Sequence, residues 1–321
     1  MKKLFLTSLA LAAFTFANAQ DNEAYVTQDG MGNSATVTQT GLMNYAEVDQ
    51  TGDDNTAEVT QVGVMNGADV DQVGDGNQAF VTQVDALGNS ATVYQEGNAN
   101  LAIVDQSDMS ALNTANVTQL GDDNGAQVIQ SGASALNNAD VYQSGNGNVA
   151  IIGQVGFSLA NVAETYQEGD DNGALISQSG FSAFNYAYVG QVGSGNLGIV
   201  YQEWASGSNT AVIEQNGDGN QALIDQSFVS GAPLLSGDPG NTAYVTQNGN
   251  DNVAIVEQLL FSGIDNYAEI EQNGDGNFAG IGQYLGGMND AMTTQNGTGH
   301  ISTTLQFGDM NTATVVQNNA P

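Results

Sequence analysis

The seven-residue frame N-x-A-x-V-x-Q begins at Asn22, Ala24, Val26 and Gln28, returns at Asn33, Ala35, Val37 and Gln39, and runs on to Asn311, Ala313, Val315 and Gln317. It occurs 25 times. Every copy keeps the Gln and 24 keep the Asn, with His300 as the exception; 23 keep the Ala, against Gly198 and Ser302; 22 have Val or Ile, and Thr165, Thr293 and Thr304 complete the set. A period this regular means a repeat architecture, so it is read before any division into domains. The units come in pairs: Asn to Asn is 11 residues within a pair, across a Q-x-G-x-x-N connector that His300 closes in the last pair, and 11 to 21 residues between pairs. Twelve pairs begin at residues 22, 44, 66, 89, 113, 137, 161, 185, 209, 241, 266 and 289, and a half-repeat begins at 311.

Each unit alternates with period 2 and is filled with Val, Ile, Thr and Tyr, which predicts a strand and is too short for a helix. Asn, Ala, Val and Gln then share one face, and residues such as Glu23, Tyr25 and Thr27 share the other. Folding a pair about its turn sets the Ala of one strand opposite the Val of the other, a thin core too small to offset the chain entropy of a lone rung. Stacking rungs as parallel strands adds a backbone ladder and lets like amides bond up and down the stack. The expected fold is all-β, a cross-β, two-sheet β-solenoid of about twelve strand-turn-strand rungs, roughly 60 Å long, forming one domain over residues 20–321. The expected ladder and assembly positions are Asn22, Gln28, Asn33, Gln39, Asn66, Gln72, Asn77, Gln83, Asn311 and Gln317. The turn glycines, among them Gly30, Gly52, Gly74, Gly97, Gly121 and Gly145, are expected to supply positive φ.

The two basic residues, Lys2 and Lys3, precede the apolar run LFLTSLALAAFTF and the A-x-A site Ala17-Asn18-Ala19, which reads as a secretory signal peptide over residues 1–19. The remaining chain carries no Lys or Arg against 35 acidic residues, which rules against nucleic acid as a partner. It has no cysteine for a disulfide and no second apolar run long enough for a membrane span. After cleavage Gln20 and Asp21 precede the first unit, and residues 318–321 follow the last, so no capping repeat is expected and both ends should template further strands. The final half-rung is expected to be completed by the next subunit.

The turns GDGN and GDDN look at first like cation loops, and Asp53 with Asp54, Asp122 with Asp123, and Asp170 with Asp171 are placed to stack as carboxylate columns. Calcium requires six to eight oxygens, and neither the EF-hand nor the nonapeptide spacing is present, so neither a metal site nor a cofactor is predicted and the turns read as solvated connectors. Carboxylates there and on the outward faces are expected to act as gatekeepers against premature aggregation, with faster fibre growth at acidic pH or with divalent cations. His300 occupies a ladder position with no catalytic companion, and no enzyme activity is expected. Phe157, Phe181, Phe184, Trp204, Phe228 and Phe261 lie in the looser arcs and are expected to cover the core there, with lateral contact between fibrils as the alternative. The longest arc, SFVSGAPLLSGDPG with Pro233 and Pro239, is expected to be the most flexible loop.

The pattern N-x5-Q-x-G-x2-N-x5-Q, as in Asn66, Gln72, Gly74, Asn77 and Gln83, resembles the curlin family of bacterial curli fibre subunits, and it covers residues 22–317. The first position is Asn, where the best-known enterobacterial subunits have Ser, and there are about twice as many repeats as in those subunits; residues 22–317 therefore resemble the family's pattern with a changed polar ladder. The resemblance implies an extracellular functional amyloid of a biofilm matrix, serving surface adhesion. It implies a homopolymer stacked end to end, with a nucleator subunit and an outer-membrane secretion pore as partners. A rival reading is a monomeric surface β-solenoid that binds ice, carbohydrate or calcium. The outward positions mix Thr, Asp, Glu, Tyr and Gly, which is not the flat regular array that ice binding needs.

Overall fold

The computed structural model describes residues 21–204, 207–227, 240–259 and 265–319; the sequence-predicted signal peptide, Phe228, Phe261, Pro233 and Pro239 lie outside the described residues. Each copy of the frame forms one strand, giving β1 to β25 in chain order with no helix among the described residues. The first are β1 (Glu23–Asp29), β2 (Ser34–Leu42), β3 (Tyr45–Thr51), β4 (Thr56–Val64), β5 (Gly67–Val73) and β6 (Gln78–Leu87); the last are β24 (Ile301–Phe307) and β25 (Thr312–Asn318). Odd-numbered strands form a 13-stranded sheet and even-numbered strands a 12-stranded sheet, each in chain order and parallel throughout. The solenoid expected from the repeat is therefore the fold observed.

Register follows chemistry. β1 pairs with β3 so that Ala24 meets Ala46, Val26 meets Val48 and Gln28 meets Gln50. β2 pairs with β4 in the same way, Ala35 on Ala57 and Gln39 on Gln61. A slip of one residue would turn every inward side chain out, so the alternation pins the register at each level. Where one arc is a residue longer the chain absorbs it locally: between β4 and β6 the pairing passes from Val62–Val84 to Gly63–Ala86, stepping over Asp85.

The core is one column of Ala and Val between the two sheets, as with Ala46, Val48, Ala57 and Val59, flanked on both sides by fully buried Asn and Gln. Beneath the arcs the inward positions are small: Ser110, Ser134, Ser158, Ser182 and Ala183 are buried. The arcs also stack, through bridges such as Leu87–Ala111 and Ala111–Ala135, into a narrow third row of parallel contacts. Of the six arc aromatics, the four among the described residues do not cover the core. Phe157, Phe181, Phe184 and Trp204 are 62%, 51%, 53% and 58% exposed, and Phe157 stacks on Phe181 outside the arc at 5.0 Å. The physical reason is that the space behind the arc is taken by amides needing partners: Asn89 Nδ2 donates to Ser110 Oγ at 2.5 Å, and Asn113 Nδ2 to Ser134 Oγ at 2.9 Å. A serine hydroxyl meets that demand and a phenyl ring does not.

Candidate functional site

The polar rows beside the core are built by the frame itself, since Asn and Gln take the first and last inward positions of every strand. In the odd sheet Gln28 Nε2 donates to Gln50 Oε1 at 2.6 Å, Gln50 to Gln72 at 2.7 Å and Gln72 to Gln95 at 2.8 Å. In the even sheet Gln39 donates to Gln61 at 2.9 Å, Gln61 to Gln83 and Gln83 to Gln106, both at 2.8 Å. The odd row ends with Gln295 donating to Gln317 at 2.7 Å. The second N–H crosses the core to the first residue of the preceding strand, as from Gln39 to Glu23 O at 2.8 Å and from Gln72 to Thr56 O at 3.1 Å. Both amide hydrogens of a fully buried side chain are thereby used.

The Asn rows run the other way. Asn44 N donates to Asn22 Oδ1 and Asn55 N to Asn33 Oδ1, both at 2.9 Å; Asn66 N donates to Asn44 Oδ1 at 3.1 Å, Asn77 N to Asn55 Oδ1 at 3.0 Å and Asn311 N to Asn289 Oδ1 at 2.9 Å. Along the tight edge the Asn Nδ2 also reaches the connector glycine of the next rung, as from Asn33 to Gly52 O at 2.7 Å and from Asn77 to Gly97 O at 2.8 Å. His300 joins its row through the backbone, donating from N to Asn277 Oδ1 at 2.9 Å, while Nε2 lies 3.1 Å from Asn296 O.

Close stacking of connectors explains the glycines. Gly30, Gly52, Gly74, Gly97, Gly121 and Gly145 have φ between 114° and 121°. A methyl group on Gly74 would lie 2.1 Å from Gly97 O, so the position excludes a side chain twice, by backbone conformation and by the approach of the next rung.

The turn carboxylates do not form the expected columns. Asp53 N donates to Asp75 Oδ1, but above that pair carboxylates alternate with amides: Asp75 N donates to Asn98 Oδ1, Asn98 N to Asp122 Oδ1 and Asp122 N to Asn146 Oδ1. Asp54 and Asp123 are likewise separated by Gly76 and Ala99 at the intervening levels. Successive connectors of equal length carry Asp and Asn, or Asp, Gly and Ala, in turn at equivalent positions, so adjacent rungs mostly avoid two like charges one strand spacing apart. Asp53, Asp75, Asp122 and Asp170 each accept a backbone N–H of the preceding rung, from Met31, Asp53, Asn98 and Asn146, and among the described residues no three acidic or His side chains converge as metal ligands.

An acidic patch does exist on the outer face of the odd sheet, where Glu47 pairs in register with Asp69 and Asp49 with Asp71. Burial, then Asp71, Glu47 and Asp49, hold the Asp69 carboxyl above its ordinary range, and burial with Asp49 and Glu47 does the same to Asp71. Tyrosines on the outer faces hydrogen-bond glutamates, as Tyr45 does Glu47, Tyr284 does Glu257 and Tyr267 does Glu269, the last at 2.8 Å. Tyr45 is pushed up to about 12 by its bond to Glu47, and Tyr284 to about 12 by burial and Glu257.

The two ends of the stack differ in chemistry. At the β1–β2 end the amide oxygens of Gln28 and Gln39 accept no hydrogen bond among the described residues, and Asn22 Nδ2 is a buried donor without a partner. At the β24–β25 end Gln306 and Gln317 have no glutamine beyond them to receive Nε2, and Asn311 Oδ1 accepts nothing among the described residues. One end thus offers glutamine acceptors and the Asn22 donor, and the other offers glutamine donors and the Asn311 acceptor, with His300 closing the second asparagine row.

The curlin associated repeat matches residues 18–41, 43–63, 52–84, 65–92, 169–203, 263–292 and 289–318, about half of the chain. The chain belongs to the curlin family. Curlin proteins are structural fibre subunits, typically extracellular, rather than enzymes. The unmatched stretch between residues 92 and 169 holds rungs with Gln-to-Asn arcs of seven residues, as from Gln106 to Asn113, yet its strands pair without interruption. No curated protein matches the chain. No helix of the described residues is long and apolar enough to cross a membrane. The opposed polarity of the Gln and Asn rows shows only once donors and acceptors are placed.

Proposed function

We propose that this chain is an exported structural subunit that stacks end to end into extracellular, curli-like amyloid fibres serving a biofilm matrix and surface adhesion. In this reading residues 1–19 are removed on export, residues 20–321 act as one solenoid, and the ladder positions are the assembly positions. A nucleating subunit and an outer-membrane pore are its partners. The observation that carries the reading is the complementarity of the two ends: unpaired strand edges whose glutamine donors at β24 and β25 match the glutamine acceptors at β1 and β2. Such an edge is a template for another copy of the same pattern. Residues 20–321, purified in denaturant and diluted into buffer, are expected to form fibres with reflections near 4.7 Å and about 10 Å. A persistent monomer at concentrations of tens of micromolar would overturn the reading.

A further inference from the structure

The strands are odd in number, 13 in one sheet and 12 in the other, so the β24–β25 end is a step: β25 has no strand facing it across the core among the described residues. We propose that a second copy of this chain fills the step by entering turned half a revolution about the stack axis, beyond the regular twist. Its β1 lies on β24 in the even sheet and its β2 on β25 in the odd sheet. The inference rests on the assembly reading above and names the orientation of the partner.

Consider the two ways of adding a copy head to tail. Without the turn, β1 of the newcomer lies on β25 and its β2 falls one level too high to reach β24. That leaves a strand-sized slot in the even sheet and the inner face of β25 uncovered, with the N–H and C=O groups of both slot edges unpaired. With the turn, β1 takes the place a twenty-sixth strand would take, and both sheets continue without a gap.

The frame permits this because both strands of a pair present the same inward Asn, Ala, Val and Gln. The hydrogen bonds ask for it. Each Gln Nε2 crosses the core to the first residue of the strand before it, as Gln39 does to Glu23 O and Gln50 to Ser34 O. Among the described residues no strand precedes that of Gln28, and its side chain makes only the bond to Gln50. In the turned arrangement the strand before it is β25 of the lower copy, and Thr312 O takes that role. Gln306 and Gln317 then donate to Gln28 and Gln39 of the newcomer, continuing both rows with their polarity kept.

A half-revolution also exchanges the two edges of the solenoid, laying the tight connectors of one copy on the arcs of the other. This requires the arcs at the ends to match the tight connectors, and they do. From Gln39 to Asn44, Gln61 to Asn66 and Gln306 to Asn311 the arc is Q-x-G-x-x-N, the spacing of the tight edge. Between them the arcs lengthen, to seven residues from Gln106 to Asn113 and fifteen from Gln226 to Asn241. The conformations agree in sign: Gly41 and Gly308 in the end arcs have φ 114° and 90°, beside 121° for Gly30 on the tight edge, and Met43 and Met310 share the left-handed conformation of Asp54. Two-fold equivalence is thus built into the end rungs and relaxed in the middle.

The chain has no cysteine, so single cysteines report the contact. Neighbouring parallel strands place in-register Cα atoms about 4.8 Å apart, within disulfide reach. The turned arrangement aligns Thr27 with Leu305 and Thr38 with Val316; the unturned one aligns Thr27 with Val316. Fibres grown from equal mixtures of T27C with L305C, and of T38C with V316C, are expected to give covalent dimers on oxidation, at least tenfold above the T27C with V316C mixture. Fibres that crosslink T27C to V316C, or that crosslink neither expected pair, overturn the orientation while leaving assembly standing. If the unsubstituted chain forms no fibre, the assembly reading falls and takes this one with it. As a second readout, the exposed aromatics of the long arcs, labelled through F181C, are expected on alternating edges of the fibre with a repeat of two subunits, roughly 120 Å; labels on one edge throughout would overturn it.

Discussion

At the scale of single residues, the frame fixes what each inward position must do, and substitutions there have signed consequences. Gln72 is fully buried, accepts from Gln50 and donates to Gln95 and Thr56 O. Replacing it with leucine keeps the volume but strands a donor and two acceptors, each costing about 1–3 kcal/mol. Gln72→Leu is therefore expected to lower stability by at least about 2 kcal/mol in denaturant unfolding; a change below 0.5 kcal/mol, on the order of a neutral surface substitution, would refute the role of the row. Threonines at valine positions err in the opposite sense. Thr165 and Thr293 are buried, and their hydroxyls have no hydrogen-bond partner. Thr165→Val and Thr293→Val are expected to stabilise the fold by about 1 kcal/mol each, read as a raised urea midpoint with an unchanged slope. The inward placement of these residues was legible in the sequence, because alternation with period 2 assigns faces without any tertiary information. The direction in which each amide donates was not, because it is set by the neighbouring rung and not by the residue.

At the scale of strands and connectors, identical register turns outward chemistry into rows, and the rows titrate. Glu47, Asp49, Asp69 and Asp71 meet on β3 and β5, and Asp69 and Asp71 titrate above their ordinary value. A carboxyl raised in the fold binds its proton more tightly there than in the unfolded chain, so its contribution is fully present below about pH 4 and is lost as pH rises through the raised value. Asp69→Asn with Asp71→Asn is expected to flatten that part of the stability profile, measured as denaturant midpoints from pH 3 to 7; an unchanged profile would count against the patch. The outward tyrosines obey the same sign at the alkaline end. Tyr45, Tyr186 and Tyr284 are pushed up to about 12, so stability should fall as pH rises from about 10 toward 12, and Tyr45→Phe should remove part of that fall. Connectors were the least legible elements. Tight turns could be read from an invariant five-residue step from Gln to the next ladder position, whereas the arcs lack a period. Composition alone therefore places Phe157 and Phe181 over the core, whereas serines fill that space.

For the whole molecule, the sequence made the fold legible because one short frame, repeated with few exceptions, constrains strand, face, register and stacking together. The step left by an odd number of strands was legible too, but what it demands of a neighbour required the amide polarity and the matched end arcs. Net charge acts at this scale. With a formal charge of −33, and no cation beyond Lys2 and Lys3, every approach of two copies is opposed by like charge. The end surfaces themselves are less acidic than the sides: in the turned contact Glu23 meets Ile301, Thr36 meets Thr314, and no carboxylate aligns with another. Repulsion should therefore slow encounter more than it weakens the finished contact. Elongation from preformed seeds is expected to speed up at least several-fold between about 10 mM and 150 mM salt, as the Debye length falls from about 30 Å to about 8 Å. It should also be faster at pH 4 than at pH 8, because protonation removes both the global charge and the β3–β5 patch. Because the turn acids are interleaved and converge on no ligand cluster among the described residues, calcium should act as magnesium does at equal ionic strength, through screening. Seeded thioflavin kinetics distinguish these outcomes. Rates indifferent to salt and pH would show that charge does not gate encounter, and a calcium effect well beyond that of magnesium would show that the turns bind the ion after all.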